Sequence, residues 1–136
     1  MSRGDYPGAT YEPEEIALRF SFKVAASTGA VSLIRGGGGH VKSVGTMASG
    51  VCLVTLNTPY PPQMLQGHAS PSKSAGSGID GNTCEVPTAD YDATAGTFKV
   101  YYIVQDGTPA VGTVPAADAR ISVTCVFQRR NALKYA

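Results

Sequence analysis

The chain has 136 residues, a formal net charge of +1, 15% charged residues, 16 glycines and 9 prolines. That length fits one domain with a core of its own. The near-neutral charge sets up no global field for nucleic acid or anionic lipid, and no apolar run approaches the roughly 18 residues of a membrane span, so neither partner is expected.

The abundance of Gly, Pro, Ser, Thr and Ala favours strands and turns over a helical bundle, which would be richer in Glu, Lys, Leu and Arg. The first residues, MSRGDYPG, are polar and lack the apolar region of a signal peptide, so the chain is expected to be made and used without secretion.

Residues 1–14 carry Tyr6, Pro7, Tyr11 and Pro13 with no periodicity and read as an extended N-terminal arm. The run Ile16–Val24 then alternates strictly. Ile16, Leu18, Phe20, Phe22 and Val24 fall on one face and Ala17, Arg19, Ser21 and Lys23 on the other, as in a half-buried strand. Ala30–Ile34 and Val41–Gly45 read as shorter strands on either side of a glycine run. Gly50–Asn57 is apolar on both faces, as in a central strand covered on both sides.

That strand must stop at Asn57-Thr-Pro-Tyr-Pro-Pro62, because proline has no N–H for a ladder. Gln63–Ala69 reads as another short strand and Ser70–Asn82 as a long exposed loop. Gly96–Gln105 and Ala119–Gln128 are strands rich in β-branched and aromatic residues, joined by a turn-rich connection from Asp106 to Pro115. A helical turn is expected near Pro115–Ala119.

No segment has a 3.6-residue apolar stripe. The predicted fold is therefore all-β, a sandwich or jelly-roll-like domain of about seven to nine strands. Its expected organisation is an arm over 1–14, one β domain over 15–131 and a tail over 132–136.

The segment Ile34-Arg-Gly-Gly-Gly-Gly-His-Val-Lys-Ser43 invites comparison with a phosphate-binding loop. Such a loop needs its Lys directly after the last Gly and a helix next, so that backbone N–H groups wrap the phosphates. Here His40 and Val41 intervene and a strand pattern follows, so the run is read as a turn. Ser74-Ala-Gly-Ser-Gly78 lacks the preceding Gly of a nucleophile elbow.

His40 and His68 each sit beside a Gly in or near a predicted turn. Asp80-Gly-Asn-Thr-Cys84 supplies too few oxygens for calcium, and Asp90 with Asp92 makes no site alone. Cys52, Cys84 and Cys125 show no C-x-x-C spacing and are read as buried reduced thiols. Arg3-Gly4-Asp5 spells the integrin-ligand tripeptide, a match short enough to arise by chance. No catalytic, cofactor-binding or metal-ligating residue is expected.

Charge is concentrated at the ends: Glu12-Pro-Glu-Glu15 is acidic and Arg129-Arg-Asn-Ala-Leu-Lys-Tyr135 basic. Opposite-charge patches suit complementary interfaces, and large amphipathic tyrosines suit docking. Tyr6, Tyr11, Glu14, Arg129, Arg130, Lys134 and Tyr135 are therefore the candidate partner-interface residues.

The run GVCLVTLNTPYPP, from Gly50 to Pro62, and the closing ADARISVTCVFQRRN, from Ala117 to Asn131, resemble small β-sandwich virion proteins of tailed bacteriophages. The resemblance implies a capsid decoration, or cement, protein without catalytic residues. Such a subunit is often trimeric, binds the major capsid protein on the capsid exterior and is made in the host cytoplasm. The Gly36–Gly39 run and the three cysteines lie outside that pattern. The alternative is a receptor- or glycan-binding head of a tail fibre or spike, using exposed aromatics such as Tyr60 or Tyr91.

Overall fold

The computed structural model describes residues 15–36, 39–73, 83–106, 108–111 and 118–128. They form an all-β domain of nine strands: β1 (Glu15–Val24), β2 (Val31–Arg35), β3 (Val41–Val44), β4 (Val51–Leu56), β5 (Gln63–Lys73), β6 (Thr83–Glu85), β7 (Thr97–Asp106), β8 (Thr108–Val111) and β9 (Ala119–Gln128). The strands belong to one antiparallel sheet in the order β2-β1-β9-β5-β6-β7-β4-β3, with β8 on β7.

The sheet curls until its two end strands, β2 and β3, approach each other and nearly close it. The two layers expected of a sandwich are thus two halves of one continuous sheet. Two backbone hydrogen bonds bracket the seam: the Val41 N–H donates to Gly36 O at 3.2 Å and the Met47 N–H to Gly29 O at 2.9 Å.

β9 lies between β1 and β5 and is laddered to both, from Glu15↔Gln128 to Val24↔Ala119 on one side and from Gln63↔Gln128 to Lys73↔Ala119 on the other. Register here follows from alternation, since a one-residue slip would turn every apolar side chain outward. The inward set of β1 meets Ala119, Ile121, Val123, Cys125 and Phe127 of β9, all buried. From the opposite wall β4 contributes Cys52, Val54 and Leu56, and β7 contributes Phe98, Val100 and Tyr102. Phe98 packs edge-on against Phe20 with ring centroids 6.1 Å apart, joining the two halves across the interior.

Several boundaries differ from the sequence reading. β4 is covered on one side only: Leu53, on its outer face, is 45% exposed. Apolar composition alone had implied cover on both sides. β5 runs to Lys73, through Pro71, four residues into the expected loop, because the ladder to β9 continues there. The expected Asp106–Pro115 connection contains β8, which folds back on β7 with Asp106 opposite Thr108. Asp118 and Ala119, at the end of the expected helical turn, are not helical, and Ala119 opens β9. The arm over 1–14 and the tail over 132–136 lie outside the described residues.

Turns follow their residues closely. Ser49 (φ 52°) and Gly50 (φ 79°) both take positive φ between Ala48 and Val51, whose backbones exchange two hydrogen bonds. Positive φ at both central positions gives the reversal that matches strand twist. Gly96 (φ 69°) opens β7 with the Tyr60 ring lying directly on its Cα, where a Cβ would collide with the ring. Gly39 also has positive φ (88°), but nothing lies within 4 Å of an added Cβ.

Gly96→Ala should therefore cost about 2–3 kcal/mol and Gly39→Ala about 1 kcal/mol, strain alone acting at the second. Urea unfolding midpoints compare the two directly. Equal losses would mean that the Tyr60 ring moves aside freely.

Candidate functional site

The described chain begins at Glu15 and ends at Gln128, and these two residues are paired neighbours. The two ends of the described chain therefore meet at one end of the barrel. At that end the interior opens into a recess of about 330 Å³. Its floor is apolar: Ile16 and Leu18 from β1, Leu56 from β4 and Phe127 from β9. Its rim comes from the connection after β2 and from the proline-rich segment after β4, through His40, Asn57, Pro59 and Pro61.

The rim is held by hydrogen bonds that the sequence gives no means of pairing. The Asn57 side-chain amide donates to Gly39 O at 2.6 Å and its backbone N–H to His40 O at 2.9 Å, so the glycine connection is tied to the end of β4. The Tyr91 hydroxyl donates to Pro61 O at 2.6 Å, and its ring packs edge-on to Phe127 with centroids 5.2 Å apart. Partial burial, then Asp92 and Tyr60 nearby, push the Tyr91 hydroxyl up to about 12.

Tyr60 and Tyr91 are both half-buried and pack against the core. The sequence reading offered them as exposed aromatics for a glycan; they are instead the fastenings of the Asn57–Pro62 segment. The glycine run stands between two strands, β2 and β3, where a phosphate loop would need a helix to follow. Gly37 and Gly38 lie outside the described residues.

The remaining candidates are committed to structure. Asp90 accepts from the Tyr101 hydroxyl at 2.9 Å, which raises the Tyr101 pKa above its ordinary value. Asp92 accepts from the N–H groups of Thr94 and Ala95 at 2.9 and 3.1 Å and so shapes the turn before β7. Cys52, Cys84 and Cys125 are free thiols buried in the core, and desolvation pushes each up to about 12. A thiol that keeps its proton at neutral pH is neither a nucleophile nor a ready metal ligand.

His40 and His68 are exposed. Among the described residues no three His, Cys, Asp or Glu side chains come together to hold a metal ion. Asp118 accepts from the Ala26 N–H at 2.8 Å and pairs with Lys23 at 3.3 Å; the backbone bond first, and then Lys23, lowers its pKa.

No family model, curated protein or solved structure matches this chain. The functional reading therefore rests on residues and geometry. Of the sequence-predicted interface residues, Tyr6, Tyr11, Glu14, Arg129, Arg130, Lys134 and Tyr135 all lie outside the described residues. What the structure adds is the place where the described chain stops on either side: Glu15 and Gln128, paired with each other and adjacent in sequence to Ile16 and Phe127 of the recess. The recess itself was not legible in the sequence, because it is assembled from four separated segments.

Proposed function

We propose that the chain is a non-enzymatic virion subunit, a capsid decoration (cement) protein that binds neighbouring capsid subunits from the outside and works as a homotrimer. The observation that carries this reading is the pairing of Glu15 with Gln128. It brings together Glu15 and Gln128, the residues to which the acidic, tyrosine-bearing segment and the basic segment are joined in sequence. Two flanks of opposite charge leaving from one place can contact two different neighbours, or two charged patches of one, as a clamp requires.

Many modest contacts repeated on a lattice then sum to firm attachment through avidity. The fibre-head alternative draws no support from Tyr60 and Tyr91, which are spent on packing.

Two measurements test the reading. Quantitative mass spectrometry of the purified source particle should find the chain in a simple ratio to the major capsid protein. A few copies per particle would move it to the tail, and none would end the virion reading. Removing residues 1–14 should strip the protein from particles while its circular dichroism stays that of an all-β domain. Unchanged occupancy would show that the arm is not what binds.

A further inference from the structure

A net charge of +1 conceals a concentration of cations on one wall of the barrel. The outward positions of β1 are Ala17, Arg19, Ser21 and Lys23, set between inward side chains that are buried. On one side of β1 the ladder puts Arg35 of β2 beside Ser21. On the other it puts Ser122 of β9 beside Ser21 and Arg120 beside Lys23.

Neighbouring strands run about 5 Å apart, and alternate residues of one strand are about 7 Å apart. Arg19, Lys23, Arg35 and Arg120 therefore surround Ser21 at backbone distances within about 8 Å. All four are exposed.

The fold gains nothing from this arrangement. Lys23 and Arg120 stand directly opposite each other across two strands, where like charges repel. Asp118 pairs with Lys23 at 3.3 Å, but among the described residues Arg19, Arg35 and Arg120 have no ion-pair partner. Glu85, Asp90 and Asp92 belong to β6 and the connection before β7, with β9 and β5 between them and β1. Repulsion that the domain does not relieve by itself is relieved by an anionic partner laid on the face.

We propose that the outer face of β2, β1 and β9 docks on an acidic protein surface, which on the virion reading is a carboxylate-bearing face of the capsid subunit. Only the naming of the capsid rests on that reading. A guanidinium group takes a carboxylate through two parallel hydrogen bonds, and the Ser21 and Ser122 hydroxyls add donors between the cations.

Two features favour protein over nucleic acid. Leu33 and Ile34 of β2, 41% and 46% exposed, flank the cations; a protein surface covers them, whereas a phosphate backbone leaves them wet. The outward side chains of β1 and β9 include no aromatic ring on which a base could stack.

The probe is the source particle freed of this protein, to which the full-length chain is added back. Wild-type protein should rebind and should be released as salt rises, because charge pairs at an interface are screened. Arg19→Glu combined with Arg120→Glu should lower occupancy by about tenfold or more at about 0.1 M salt. Lys99→Glu, on the opposite wall, should stay within about twofold of wild type. Circular dichroism of each variant should remain that of an all-β domain.

A second measurement needs no partner. Arg120→Gln removes the repulsion opposite Lys23 and should raise the urea midpoint at low salt. A midpoint that falls at low salt and recovers in high salt would mean that the cations serve the fold, and overturns the proposal.

Unchanged occupancy of the double variant, on particles that carry the wild-type chain, overturns this proposal and leaves the virion reading standing. A purified source particle without the chain ends both. Salt-sensitive binding of wild type to duplex DNA, lost in the double variant while particle occupancy holds, overturns the assignment to protein and gives the face to nucleic acid.

Discussion

Between about pH 9 and pH 12 the protein should lose stability steeply, and the cause is its three thiols. Burial raises Cys52, Cys84 and Cys125 from an ordinary 9.0 to about 12. In the unfolded chain each releases its proton near 9.0; in the folded protein each keeps it. The folded state therefore binds more protons across that window, and stability falls as pH rises.

The contribution is fully present below 9.0 and lost progressively towards 12. Each thiol costs about 1.4 kcal/mol per pH unit within the window, so three cost about 4 kcal/mol per unit. Domains of this kind are stable by about 5–15 kcal/mol in total, so the loss across the window removes most or all of the reserve. Tyr91, raised from 10.0 to about 12, adds a further loss above pH 10, reduced because much of it is open to solvent.

Urea midpoints measured at rising pH under reducing conditions check this. Cys125→Ala should start from a lower midpoint at neutral pH and then fall along a slope about one-third shallower, one of three titrating thiols being gone. A wild-type midpoint that stays flat to about pH 11 would mean that water reaches the thiolates in the folded state.

The same thiols show what the sequence makes legible. Cys125 stands in a run whose alternation places it inward, so its burial follows from period two alone, while Cys52 stands in a run apolar on both faces, where burial is expected on either side. Cys84 follows neither pattern: it lies in β6, a three-residue strand at the far edge of a segment that reads as loop. Its burial depends on the pairing of β6 with β7, a contact made at long range.

The contrast recurs through the molecule. β1 and β9 could be read almost residue for residue, because each is a long strand with one wet face and one dry face. β4 misled for the same reason in reverse: Val51, Leu53 and Thr55 are apolar enough to imply cover, while the sheet leaves them outside. β8 is hidden in a stretch rich in Gly and Pro. Its strand character depends on the partner it folds against, since Pro109 and Ala110 at its centre disfavour a strand.

The recess follows the same logic. Asn57, Pro59 and Pro61 announce that a strand ends there, which is a statement about hydrogen-bond donors. That they also form the rim of a hollow facing Ile16 and Phe127 depends on how the sheet closes. Closure is a property of all the strands together, and no single run of residues carries it. Charge near the two ends is legible in the sequence; that Glu15 and Gln128 lie side by side needs the register of β1 on β9.

The second large effect is expected at Phe98. This ring is fully buried, meets Phe20 edge-on at 6.1 Å and lies tilted against Phe127, also at 6.1 Å. Phe20 and Phe127 belong to β1 and β9, whereas Phe98 belongs to β7 on the opposite wall. Phe98 thus spans the interior of the curled sheet, and its removal opens a hole that neither wall can fill without unlatching its neighbour strands.

Phe98→Ala should cost about 3–5 kcal/mol, the transfer of the ring plus the cavity left behind. That is enough to unfold a marginal domain at physiological temperature. Leu53→Ser, on the outer face of the neighbouring strand, should change stability by no more than about 0.5 kcal/mol.

The double variant Phe20→Ala with Phe98→Ala separates packing from simple burial. If the rings support one another, the paired loss should fall short of the sum of the single losses by about 0.5–1.5 kcal/mol. Strict additivity would mean that each ring packs independently against the aliphatic side chains around it. The aromatic contact between the walls would then contribute no more than its area, and the closure of the sheet would rest on the β9 ladders.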